Sequence, residues 1–87
     1  MIALVKAYVL VSAKPGTSEE IVNFLRKASE VKGVVSADSV FGRYDAIITL
    51  DVENLEMLSQ VLYKVIEKIP NVVRTETCIV MFSGNKK

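Results

Sequence analysis

Residues 2 to 13, Ile-Ala-Leu-Val-Lys-Ala-Tyr-Val-Leu-Val-Ser-Ala, crowd apolar and β-branched side chains together without a helical stripe, which predicts a first strand. Pro15-Gly16 ends it. Thr17-Ser-Glu-Glu20 has capping-box spacing, so the Thr17 hydroxyl is expected to accept from the Glu20 amide while the Glu20 carboxylate reaches back. Ile21, Phe24, Leu25, Ala28 and Val31 then share one face at three- and four-residue steps, predicting a helix over 18–31 that Gly33 closes. Val34 to Phe41 reads as a second strand, Gly42-Arg43 as a tight connection, and Tyr44 to Val52 as a third strand antiparallel to it. Leu55, Leu58, Leu62, Val65, Ile66 and Ile69 form the apolar face of a second helix over 53–69, which Pro70-Asn71 stops. Val72 to Phe82 completes the pattern as a fourth strand.

The order is βαββαβ, and its halves echo each other. Lys-Gly-Val-Val-Ser-Ala-Asp-Ser-Val-Phe (32–41) aligns without a gap on Pro-Asn-Val-Val-Arg-Thr-Glu-Thr-Cys-Ile (70–79). Right-handed crossovers then predict an α+β fold, the ferredoxin-like sandwich, with a four-stranded antiparallel sheet and two helices on one face. A single domain is expected over residues 1–83, with 84–87 a disordered tail.

Two helices cover one face only, and in a monomer the other face should be polar. Along the first strand the odd positions Val5, Ala7, Val9 and Val11 make one apolar face, yet Leu4, Tyr8 and Leu10 make a second. Ile47, Cys78, Val80 and Phe82 join that second face by the same period of two, with Arg74 and Glu76 as exceptions near its edge. A bare patch of this kind calls for a partner sheet, so a homodimer is expected, a dimeric α/β barrel with Leu4, Tyr8, Leu10, Val80 and Phe82 at its interface.

Composition changes the picture mainly by exclusion. The chain has 87 residues, 51% of them apolar, eleven Lys/Arg against ten Asp/Glu, a net charge of +1, one Cys and no His. So weak a field gives no hold on a nucleic-acid backbone or an anionic membrane, and direct DNA binding is not expected. Histidine-based triads, zinc sites containing His, paired-Cys metal sites and an internal disulfide are all excluded, so neither catalytic residues nor a metal or cofactor is expected. Cys78, among Ile79, Val80 and Met81, reads as a small buried hydrophobe rather than a nucleophile. The apolar start lacks signal-peptide flanks and is too short to span a bilayer, so a cytoplasmic location is expected.

Phe-Gly-Arg-Tyr-Asp-Ala-Ile-Ile-Thr-Leu-Asp-Val (41–52), followed by an amphipathic helix and Ile-Pro-Asn-Val-Val-Arg-Thr-Glu-Thr (69–77), resembles the effector-binding (RAM) domain of the Lrp/AsnC transcriptional regulators. The Gly-x-Tyr-Asp turn and the late Thr-x-Thr carry the resemblance. Because the chain opens on the first strand, it resembles the stand-alone form lacking the helix-turn-helix. That resemblance implies a non-enzymatic module that binds a free amino acid. It also implies sheet-paired dimers assembling into rings (octamer or decamer), and a role in transcription regulation alone or with a full-length, DNA-binding relative.

The ligand-binding residues implied are Gly42, Arg43, Tyr44, Asp45, Thr75 and Thr77. A free amino acid sets a carboxylate and an ammonium on one carbon, so donors and acceptors must converge. Gly42 lets backbone amides approach a carboxylate, Asp45 can accept from the ammonium, Tyr44 offers a ring and a hydroxyl, and Thr75 and Thr77 share one strand face. Each has a plainer explanation as well: a hairpin glycine, an acid satisfying turn amides, and ordinary β-forming threonines. Two other functions stay open. One is a purely structural oligomerisation partner without a ligand. The other is a dimeric α/β-barrel enzyme, which would need polar groups in an interior that reads as Val, Ile, Leu and Ala.

Overall fold

The computed structural model describes residues 4–27, 33–82 and 84. Over them run β1 (Val5–Ala13), α1 (Ser18–Lys27), β2 (Val34–Ser39), β3 (Ala46–Val52), α2 (Leu55–Lys64), a single 3₁₀ turn (Ile66–Lys68) and β4 (Val72–Ile79). All strand pairs are antiparallel, in the order β2-β3-β1-β4. This is the ferredoxin-like arrangement that the pattern predicts. Ala7, Val9 and Val11 of β1 lie opposite Leu50, Ile48 and Ala46 of β3, and all six are fully buried. Ile21 and Leu25 from α1, Leu58 and Val61 from α2, and Ile66 and Ile69 beyond it close the core over that face.

The internal echo is structural. Gly33 and Asn71 hold the same place in the aligned halves, and both have positive φ, 98° and 73°. Two residues further on the pairing slips in both, skipping Val35 against β3 and Val73 against β1. These β-bulges turn the second valine of each pair outward, while Val34 and Val72 stay packed against the core. Gly33 is required sterically as well: a Cβ there would sit 2.9 Å from Val52 Cγ1 and 3.3 Å from the Asp51 carbonyl.

Several local expectations are corrected. The capping box does not form. Pro15 and Gly16 (φ 80°) make a turn closed by Thr17 N–H on the Lys14 carbonyl, and the Thr17 hydroxyl donates to that same oxygen at 2.7 Å. Glu20 instead accepts from Asn71 Nδ2 at 3.3 Å. Ala28 and Val31, the last turns of the expected first helix, lie outside the described residues. Phe24 and Leu55 are exposed although they fall on the apolar faces, and Val61 takes a core place that the spacing did not assign. The second helix breaks at Val65, after which a tighter turn swings Ile66 and Ile69 inward. Ile69 is then extended, as a residue before proline should be. Finally β4 ends at Ile79, leaving Phe82 beyond the strand and exposed.

Candidate ligand-binding site

The candidate residues lie toward the end of the sheet where β1 finishes and β3 and β4 begin. Side chains and backbone lace this end together. Lys14 N–H donates to the Asn71 carbonyl at 3.0 Å, and the Ser18 and Ser39 hydroxyls meet at 2.8 Å. In place of a two-residue hairpin, residues 40–45 form an open loop closed by Val40 N–H on the Asp45 carbonyl at 3.0 Å.

Asp45 explains the larger loop. Its N–H donates to the Val11 carbonyl at 2.8 Å, and its Oδ2 accepts from Ala13 N–H at 2.8 Å. The carboxylate thus supplies the next rung of the β1–β3 ladder where a longer strand would have supplied a carbonyl. Its plainer explanation, an acid satisfying backbone amides, is the one the geometry supports. Gly42 (φ 155°) stands at the margin of the region L-residues avoid, with open space around it. Phe41, Gly42 and Arg43 are all exposed.

From this loop Tyr44 reaches over β1. Its hydroxyl donates to Glu76 Oε1 on β4, and the Arg43 guanidinium carbon lies 5.9 Å from the Tyr44 ring centroid. The hydrogen bond to Glu76, then desolvation and the Glu76 charge, raise the Tyr44 pKa above its ordinary 10.0, with Arg43 opposing. Glu76 pairs with Leu10 across the strands and so shares its face, the one away from the helices. Thr75 and Thr77 pair with Val11 and Val9 and lie on the helix side of the same strand. Thr75 lines a shallow groove of about 290 Å³ with Glu67, Val72, Val73 and Arg74. Within one chain, therefore, Tyr44 and the threonine pair face opposite ways. Glu76 is the polar group that the sequence-based site left out. Its signal is the alternation of β4, which puts the residue between two threonines on the other face.

The face of Glu76, away from the helices, carries Tyr8, Leu10, Ile47 and Cys78 in adjacent register, and Val80 N–H donates to the Lys6 carbonyl to extend the row. Leu4 and Tyr8 are exposed, Leu10, Ile47 and Val80 half-buried. Cys78 is exposed, contrary to the expectation of burial, because β4 is an edge strand and nothing among the described residues covers this side. Among the described residues no three His, Cys, Asp or Glu side chains gather as a metal site would need, and no helix is long and apolar enough to cross a membrane.

Compared with known protein families, residues 6–84 match the Lrp/AsnC ligand binding domain. Among solved structures, FFRP-DM1 is 30% identical with a TM-score of 0.76, covering 88% of this chain and 99% of that one. A hypothetical protein, PHS023, of Pyrococcus horikoshii is 29% identical with a TM-score of 0.77, covering 92% and 93%. The transcriptional regulator NMB0573 of Neisseria meningitidis, in complex with L-methionine, shares the fold at 14% identity and a TM-score of 0.76, covering 94% of this chain and 53% of its own. No curated protein matches significantly. With the family match spanning nearly its whole length, the chain belongs to the Lrp/AsnC ligand-binding domain family.

Proposed function

We propose that the chain is a non-enzymatic module that binds a free amino acid between copies of itself and passes that signal to transcription in the cytoplasm, alone or with a DNA-binding relative. The observation that carries this reading is the split site. Tyr44 with Arg43 stands on the open side of the sheet and Thr75 with Thr77 on the helix side, so a small ligand touching both sets must lie between chains. Asp45 holds the loop in shape and leaves ligand contact to its neighbours.

The open face supports pairing. Leu4, Tyr8, Leu10, Ile47 and Val80 form an apolar stripe that a second sheet would cover, at about 1.5–3 kcal/mol for each large side chain fully buried. Dimers formed this way leave both edge strands and the loop at the rim, where further dimers assemble into rings of eight or ten chains. The L-methionine complex of the Neisseria regulator supports an amino acid as the ligand class.

Affinities in the micromolar to millimolar range suit a metabolite sensor. A thermal-shift screen of the twenty amino acids tests this. Ligand at about 100 times its Kd stabilises the folded chain by about 2.7 kcal/mol, a rise of about 10 °C or more in a domain of this size. At least one amino acid should give that rise, and Tyr44→Ala should abolish it. No response to any of the twenty contradicts the proposal.

A further inference from the structure

We infer that Glu76, rather than Asp45, receives the ammonium of the bound amino acid, with the Tyr44 oxygen beside it and the Arg43 guanidinium placed for the α-carboxylate. The inference rests on the amino-acid reading above and assigns the polarity of that site. An acid that receives an ammonium needs free lone pairs at an accessible surface. Each carboxylate accepts one hydrogen bond, so access separates them: Asp45 is half-buried, with its Oδ2 holding Ala13 N–H at the end of β1. Glu76 is exposed, and Tyr44 occupies only one of the roughly four lone-pair positions of its carboxylate.

The hydrogen bond also fixes what Tyr44 can offer. A phenol has one proton, and once it is donated to Glu76 only lone pairs remain for a second partner. Tyr44 is thereby an acceptor for an incoming N–H. A phenol keeps that proton at neutral pH, and the hydrogen bond to Glu76 raises the Tyr44 pKa further above its ordinary 10.0. Over the same ring the Arg43 guanidinium, 5.9 Å from the centroid, supplies the opposite charge. A carboxylate, an acceptor oxygen and a guanidinium arranged around one aromatic ring complement a zwitterion. They do not suit a simple anion or an apolar ligand.

The test compares wild type, Glu76→Gln and Asp45→Asn by calorimetric titration with the twenty L-amino acids and, for each that binds, its 2-hydroxy acid analogue, L-methionine and 2-hydroxy-4-(methylthio)butanoate being the first pair. Gln keeps an acceptor for the Tyr44 hydroxyl and removes only the charge. Glu76→Gln should lose affinity for the amino acid by about tenfold or more. Its preference for the amino acid over the hydroxy acid should collapse, while the unfolding temperature stays within about 2 °C because the side chain is exposed. Asp45→Asn should keep its affinity within about threefold. Wild-type binding that Glu76→Gln leaves within about twofold, or a preference for the ammonium that persists in that variant, overturns the assignment of Glu76 alone. No amino acid binding to wild type overturns the underlying reading and this inference with it.

Discussion

Asp45→Ala separates scaffold from ligand contact. The substitution removes the acceptor of Ala13 N–H, a 2.8 Å bond in a half-buried place at the last rung of β1, and leaves the two backbone bonds of residue 45 intact. An amide left unpaired there costs about 1–3 kcal/mol. A domain of 87 residues has a total stability of about 4–13 kcal/mol, so this is a substantial fraction. At about 4–8 °C per kcal/mol, a loss of 2 kcal/mol lowers the unfolding temperature by about 8–16 °C. Urea unfolding followed by circular dichroism, at one fixed protein concentration because pairing makes stability concentration-dependent, gives the value. Asp45→Asn retains an oxygen acceptor and should lose less than half as much. If Asp45→Ala unfolds within about 0.5 kcal/mol of wild type, the carboxylate is not the rung described and the loop is held in another way.

Gly33→Ala should cost about 2–4 kcal/mol in the same assay, since it combines positive φ with a Cβ pressed on Val52 and the Asp51 carbonyl. Gly16→Ala, at φ 80° in open space, should cost about 1 kcal/mol. Tyr44 should ionise above pH 10, seen as the tyrosinate absorbance that Tyr44→Phe removes, and Glu76→Gln should bring it down. Because the folded phenol has the raised value, the stabilisation it gives is complete below the unfolded pKa and fades as pH rises through the folded one. Leu10→Asp, placing a charge in the middle of the open face, should convert a dimer to a folded or partly folded monomer in sedimentation velocity at micromolar concentration. An unchanged dimer would show that pairing uses another surface.

The fold was legible because its signals are redundant: period-two alternation in β1, period-3.6 stripes in both helices, and punctuation by Pro15-Gly16, Gly33 and Pro70-Asn71. What escaped was set by contacts distant in sequence. Thr17 and Glu20 fit a capping box locally, yet the Pro15-Gly16 turn claims one and Asn71 the other. Gly42-Arg43 looks like a two-residue hairpin until the need of Ala13 N–H draws Asp45 into the ladder and lengthens the loop. Of the candidate site, the sequence carries only residue identities. The resemblance points to the turn and the threonines, but a list of residues carries no sheet face, so the split between them and the place of Glu76 emerge only from register.

The most direct test of the central claim is a two-dimensional amide NMR titration of the uniformly labelled chain with L-methionine, followed by any amino acid that the thermal screen returns. The amides of residues 42–45 and of Glu76, Thr75 and Thr77 should shift together along one saturable curve, since one ligand between chains touches both sets. Saturable shifts confined to the helices, or none with any amino acid, would contradict the account.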